Sequence, residues 1–389
     1  MILRISTAWL QLSHKKMRLL VALAGVIFAV MIVFVQFGLQ HSLFESAVRF
    51  HQSLQGDIVL ISPKSNALIA MESFNEKRLW QVLAFEEVEF ISPVYLGFSQ
   101  WQNPQDKKYW RKIFIIGIDL RHSVLTLPGI QENQGSLKIP ENILFDQNSR
   151  SEFGSIISAV KDRGKVTTQL IQAGQTIEID VVGLFELGTS FGADGNIVTS
   201  NANFLRIFNQ RPKNAIDLGL IKLKPGVNIK DFTGKLKAYL PKDVKVLSKQ
   251  EYIAFEQNYW NTSTAIGFIF SLGIILGVVV GIVVVYQILY SNVSEHLSEY
   301  ATLKAIGYRN RYLLRMILQQ AIFIAILGYI PGFLLSMIIY EIAKQATFLP
   351  IAMTLQRAVF VLILTVLMCF IAGITAIRKL KAADPADIF

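Results

Sequence analysis

Gly188-Thr189-Ser190-Phe191-Gly192 has the G-x-S-x-G spacing of a nucleophile elbow. That chemistry needs a strand, a sharp turn and a helix, which together lift the serine hydroxyl out of a sheet. A strand-like stretch precedes the motif, but Ala193-Asp-Gly-Asn and a second strand-like piece stand where the helix should begin. The triad histidine of that fold follows its serine, and the one histidine after Ser190 is His296, which the span pattern puts across a membrane. A glycine-rich hairpin is the expectation, with no catalytic residue. His14, His41, His51 and His122 are scattered, with no H-E-x-x-H and no pair at i, i+4, so no metal site is expected. No G-x-x-x-x-G-K-[ST] run is present, so any ATP-driven role puts the nucleotide on a separate chain. The lone Cys369 excludes an intramolecular disulfide and a Cys-rich metal site.

The elements around these residues follow from composition. The 389 residues are 52% hydrophobic and only 17% charged, against roughly 25% charged in an average soluble domain. Lys+Arg 38 against Asp+Glu 28 gives a net charge of +10. On so apolar a chain, that excess indicates a membrane protein with positive cytoplasmic loops. The sequence has no basic run interleaved with aromatics, so no nucleic-acid partner is expected.

Four apolar runs are long enough to cross a bilayer, which takes about 20 helical residues. They cover 19–38, 265–290, 316–340 and 358–377. The first exceeds the ~7–15-residue core of a signal peptide and lacks an Ala-x-Ala site after it, so it is read as an uncleaved span. Lys/Arg cluster before span one (Arg4, Lys15, Lys16, Arg18), between spans two and three (Lys304, Arg309, Arg311, Arg315) and after span four (Arg378, Lys379, Lys381). The loop 341–357 offers only Lys344 and Arg357. The positive-inside rule then places both termini and the loop 291–315 in the cytoplasm. Residues 1–18 read as an interfacial helix, with Ile2, Ile5, Trp9 and Leu12 on one face, and 378–389 as a cytoplasmic tail.

The segment 39–264 must lie outside and is long enough for one or two domains. Strand-like runs begin at Asp57, Lys112, Thr176 and Ile216, and helix-like ones cover Asn75–Phe85, Ala202–Phe208 and Ile229–Leu240. The expected fold is therefore membrane α-helical, four transmembrane helices, with a large extracytoplasmic α+β domain inserted between helices one and two. Ser248 and Glu251 have capping-box spacing. The helix they begin could run unbroken into span two, pairing with an extension of span one (Leu43, Phe44, Ala47, Val48) as a stalk. Gly273, Gly277 and Gly281 form two G-x-x-x-G steps, either a packing face within the chain or a dimer seam. Pro331-Gly332 in span three predicts a kink and a candidate hinge.

The run EHLSEYATLKAIGYRNRYLLRMILQQ after span two reads as a short amphipathic helix ended by Gly307. It resembles the coupling segment of FtsX/MacB-type ABC permeases. The tail RKLKAADPA resembles that family's basic, Asp-Pro-Ala ending, and the arrangement of spans is similar too. More narrowly, YQILYSNVSEHLSEYATLKAIGY and FELGTSFGADGNIVTS resemble the cyanobacterial DevC permeases, associated with glycolipid export.

The resemblance implies a non-catalytic permease of the inner membrane, a homodimer among membrane lipids. Glu295, His296, Glu299, Ala301, Lys304 and Gly307 would meet a separate ABC ATPase subunit. No cofactor is bound directly; ATP and Mg sit on that partner. A periplasmic membrane-fusion adaptor and a TolC-like outer-membrane channel would complete an exporter driven by mechanotransmission. A regulator of a cell-wall hydrolase, a lipoprotein-release permease and a ligand-sensing receptor remain the alternatives.

Overall fold

The computed structural model describes residues 16–295, 306 and 310–381. In chain order the elements are α1 (Lys16–Ser53), β1 (Ile58–Ile61), β2 (Phe74–Asn75), α2 (Lys77–Trp80), β3 (Val88–Gln102), β4 (Trp110–Ile118), β5 (Asn142–Asp146), α3 (Ile156–Arg163), β6 (Val166–Gln172), β7 (Gln175–Phe185), β8 (Asn196–Ser200), α4 (Asn201–Ile207), β9 (Ala215–Ile216), β10 (Leu218–Leu223), α5 (Ile229–Tyr239), β11 (Lys245–Ser248), α6 (Lys249–Thr262), α7 (Ala265–Glu295), α8 (Asn310–Thr347) and α9 (Leu355–Lys381). They form two compact units. One takes Leu43–Thr264 with Thr347–Pro350; the other takes the described parts of Met1–Ser42, Ala265–Ala346 and Ile351–Phe389. Most of the expected interfacial helix, and the tail beyond 381, lie outside the described residues.

The first unit is α+β. Its main sheet runs β11-β1-β10-β3-β4-β8-β5-β7-β6. β3 also pairs with β6, through Gln100 with Ile171 and Trp101 with Leu170. The strands β3-β4-β8-β5-β7-β6 therefore close into a ring. Trp101 is fully buried inside, its ring against Phe145 and Phe153, and its Nε1 donates to the Phe153 carbonyl at 3.1 Å. β7 alternates buried and part-exposed residues from Ile179 on, as a strand with one wet face must. β1 reads IVLI because both its faces are covered: Ile58 and Leu60 enter one core, Val59 and Ile61 the other.

The sequence pattern concealed β3. Pro93 lies inside it, opposite Gly219 of β10, and Gly97 leaves room for the Phe208 ring, which a Cβ would meet at 2.5 Å. Both residues ordinarily weaken a strand. The cap of α6 is as its spacing predicts: Ser248 Oγ accepts from the Glu251 N–H at 3.2 Å, and the Ser248 N–H donates to Glu251 Oε2 at 2.7 Å.

The second unit packs α1, α7, α8 and α9. Among the described residues, four helices, Leu19–Ser53, Ala265–Glu295, Leu314–Thr347 and Leu355–Ala376, are long and apolar enough to cross a membrane. Glycines set their spacing. A Cβ on Gly277 would stand 3.0 Å from Val33 on α1, and one on Gly281 would stand 2.0 Å from Met368 Sδ on α9 and 3.1 Å from Ala29 on α1. Gly332 lies against Val30, with the Ile27 carbonyl 3.2 Å from where its Cβ would be.

Span two does not continue α6 without a break. α6 ends at Thr262 and α7 starts at Ala265. The Thr264 hydroxyl donates to the Trp260 carbonyl at 2.6 Å and so competes for the acceptor that the helix ladder would use. On the other side α1 is a single helix from Lys16 to Ser53.

Gly332→Leu should crowd Val30 and the Ile27 carbonyl and lower stability by about 1–3 kcal/mol. Gly234→Ala, inside α5 with nothing within 4 Å, should leave stability unchanged or raise it by about 0.5–1 kcal/mol. Thermal unfolding of the detergent-solubilised chain checks both. A hydrogen bond from the Ser248 N–H, then Lys237, holds Glu251 below the usual carboxylate range. A depressed value means the contribution is present above the unfolded carboxylate pKa and is lost as pH falls through the folded one. Glu251→Ala should cost about 0.5–1 kcal/mol at pH 7, and the gap to wild type should close below about pH 4.

Candidate functional site

The expected coupling segment lies between the end of α7 and the start of α8. Glu295 is the last residue of α7 and is exposed. His296, Glu299, Ala301, Lys304 and Gly307 lie outside the described residues. The helices at its two ends are described. Val285, Leu289 and Val293 recur every fourth residue on α7 and are fully buried. They pack in one core with Met316, Ile317 and Ala321 of α8 and with Cys369, Ala372 and Ala376 of α9. Asn292 Nδ2 donates to Oε1 of the buried Gln320 at 3.1 Å. An amide pair in apolar surroundings has few alternative partners, so it ties the ends of α7 and α8 together close to the segment.

The glycine face of α7 is filled within the chain. Gly273 backs onto Gln36, Gly277 onto Val33 and Ile32, and Gly281 onto Met368 and Ala29. Close packing inside one chain accounts for all three glycines. Pro331 and Gly332 lie inside α8, which runs without interruption from Asn310 to Thr347, and the Ser336 hydroxyl donates to the Gly332 carbonyl at 2.6 Å. Gly332 thus serves as a contact point for α1.

The G-x-S-x-G segment follows β7 as a tight turn. Gly188 has φ +95°, a region open to glycine. Ser190 Oγ accepts from the backbone N–H groups of Gly192 (3.3 Å) and Ala193 (3.2 Å), so it caps a turn. The Asp146 carboxylate anchors the start of the loop, accepting from the N–H groups of Leu187 and Gly188 and from Asn196 Nδ2. Burial pushes the Asp146 carboxyl above its ordinary value despite those bonds. A cleft of about 790 Å³ beside β11 carries Lys237 and Lys249 on its walls. Lys237 already pairs with Glu251 at 3.1 Å, and Lys249 donates to the Leu54 carbonyl at 2.6 Å.

The sequence reading missed a buried polar group. Glu256 of α6 is 1% exposed. Its Oε1 accepts from Trp260 Nε1 and its Oε2 from the Leu68 N–H, each at 2.8 Å. The fully buried His51 of α1 places Nε2 3.4 Å from Glu256 Oε2, and its ring lies 4.3 Å from that of Tyr252. Burial, then the neighbouring Glu256, pushes the Tyr252 hydroxyl well above its ordinary range. The signal was the spacing Tyr252, Glu256, Trp260, which puts a carboxylate on the apolar face of α6.

Glu256→Leu should strand the Trp260 Nε1–H and the Leu68 N–H in the core and cost about 3 kcal/mol. Trp260→Phe should cost less, because it removes one donor and leaves one oxygen of Glu256 unpaired while the Leu68 N–H keeps its acceptor. Unfolding curves of the two variants decide it.

Residues 268–385 match the family described as FtsX-like permease C-terminal. No curated protein matches the chain. Among solved structures, the periplasmic region of MacB from Actinobacillus actinomycetemcomitans is similar at 11% identity and a TM-score of 0.36, covering 55% of this chain and 96% of that one. The extracellular domain of the ABC-type transporter YknZ from Gram-positive bacteria is similar at 13% identity and a TM-score of 0.34, covering 49% of this chain and 98% of that one.

Proposed function

We propose that this chain is the membrane permease subunit of an ABC exporter whose ATPase is a separate polypeptide. The match of residues 268–385 to the FtsX-like permease C-terminal region carries this reading. That match takes in nearly all of α7, the segment 295–307, α8 and α9. The sequence has no phosphate-binding loop of its own, in keeping with an external source of nucleotide energy.

The ATPase partner meets Glu295, His296, Glu299, Ala301, Lys304 and Gly307 on the cytoplasmic side of an inner membrane, where the termini also lie. Lysines and arginines flanking this segment favour that orientation. ATP-driven closure of the partner displaces the segment. The Asn292–Gln320 pair and the stripe Val285, Leu289, Val293 make α7 and α8 move together with it. The displacement reaches the α+β unit along α1 and through the Ser263–Thr264 break between α6 and α7.

The exported substrate is lipid-like and, on the branch resemblance, a glycolipid. Two copies of the chain work as a homodimer, with a membrane-fusion adaptor and an outer-membrane channel beyond them.

Affinity purification of the intact chain tests this. An ABC ATPase and an adaptor should co-purify; a wall hydrolase in place of the adaptor would indicate a regulator, and no ATPase at all would overturn the reading. Gly307→Pro should leave membrane insertion intact while abolishing the export that accompanies ATP hydrolysis. Full export by that variant would contradict the assigned role of the segment.

A further inference from the structure

Positive charge in the α+β unit is concentrated in one stretch. Residues 222–251 hold eight lysines against three acids, whereas the rest of 43–264 holds 17 Lys/Arg against 20 Asp/Glu. The stretch takes in the end of β10, α5, β11 and the start of α6. Its salt bridges do not cancel the excess. Lys235 meets Glu87 at 3.1 Å, Lys237 meets Glu251 at 3.1 Å and Lys222 meets Asp57 at 3.2 Å, while Asp243 is taken by Arg78 at 2.7 Å. Among the described residues, Lys224, Lys230 and Lys242 take part in no salt bridge.

The cleft of about 790 Å³ lies within this stretch. α5 lines it with Lys230, Thr233, Gly234 and Lys237, the i, i+3, i+4, i+7 spacing of one helix face. Gly234 is the informative residue. Glycine inside a helix is less stable than alanine, and close packing accounts for it at Gly277, Gly281 and Gly332, where a neighbour fills the space. At Gly234 nothing lies within 4 Å of where a Cβ would stand, and its backbone is not in the left-handed region. Neither packing nor conformation within the chain calls for a glycine there. It leaves the α5 backbone open to an outside group, between two lysines about 10 Å apart along the helix. Ile229, 40% exposed, and Ile253 add apolar surface. The positive excess is spread along the stretch, and Lys237 and Lys249 are already bonded to Glu251 and the Leu54 carbonyl. That distribution suits a run of carboxylates better than one small anion, and opposite potentials steer association and fix register. We propose that this cleft docks an acidic segment of a partner protein, lying along α5 with its backbone close to Gly234 and a carboxylate facing Lys230. Such docking requires only the surface of the α+β unit, whatever the chain transports.

The test is photo-crosslinking of the full chain in the cells that carry it. p-Benzoylphenylalanine in place of Ile229 probes the cleft; in place of Leu205, exposed on α4, it gives the background. Illumination should join position 229, and not 205, to another polypeptide, and mass spectrometry of the joined peptide should show an excess of acidic residues. Lys230→Glu should lower the yield severalfold, and Lys230→Arg should keep it. Gly234→Ala and Gly234→Leu should lower it in that order, while thermal unfolding of the detergent-solubilised chain stays at or above wild type. That combination separates a docking role from a structural one. No polypeptide adduct above the background, an adduct to lipid or to a second copy of this chain, a captured segment without an acidic excess, or a yield indifferent to Lys230→Glu and Gly234→Ala would each overturn the proposal.

Discussion

α1 contributes residues to both units and must satisfy two different solvents along its length. From Lys16 to Ser42 it belongs to the helical unit, where water provides no partner for backbone groups and only a closed hydrogen-bond ladder is stable. In lipid the hydrophobic effect does not drive one helix onto another, so close packing has to supply the attraction. Gly277, Gly281 and Gly332 provide it by letting α7 and α8 approach Ala29, Val30 and Val33. From Leu43 to Ser53 the same helix lies against a watery domain, and there Val48, Phe50 and Leu54 just beyond its end are buried as ordinary core residues.

In the α+β unit the corresponding constraint is polar. Glu256 is buried and links three elements: it accepts from the N–H of Leu68 and the indole of Trp260, and the His51 imidazole lies 3.4 Å away. A buried carboxylate is costly unless several donors surround it. Once they do, each donor is held in place because its only good acceptor is there. The loop around Phe191, whose ring stacks on Trp260 at 5.5 Å, inherits its position from that arrangement. Asp146 does the same for the first residues of the loop, with burial and hydrogen bonding acting in opposite directions on its proton.

Legibility varied by element. The strand from Thr176 showed itself because its burial alternates, and the Ser248–Glu251 cap because both partners lie within one turn. The run around Pro93 and Gly97 concealed a fifteen-residue strand. Its proline faces a glycine on β10 and its own glycine faces a phenylalanine, compensations invisible without the neighbours. The proposed coupling segment rests on family resemblance, and most of it lies outside the described residues. The Asn292–Gln320 pair beside it was not legible, because a lone polar residue in an apolar run carries no label naming its partner.

The amino-acid sequence alone determined four apolar helices, an α+β insertion between the first two and the absence of a phosphate-binding loop, because length, charge and periodicity are local properties of the chain. Tertiary structure alone decided that the sheet closes through Trp101 and Leu170, that the α7 glycines meet α1 and α9, that α6 stops before α7, and that a serine motif of hydrolase spacing is a support for Phe191. Most of these depend on which residue, often a hundred or more positions away, fills a space or accepts a proton, and spacing along the chain does not encode that.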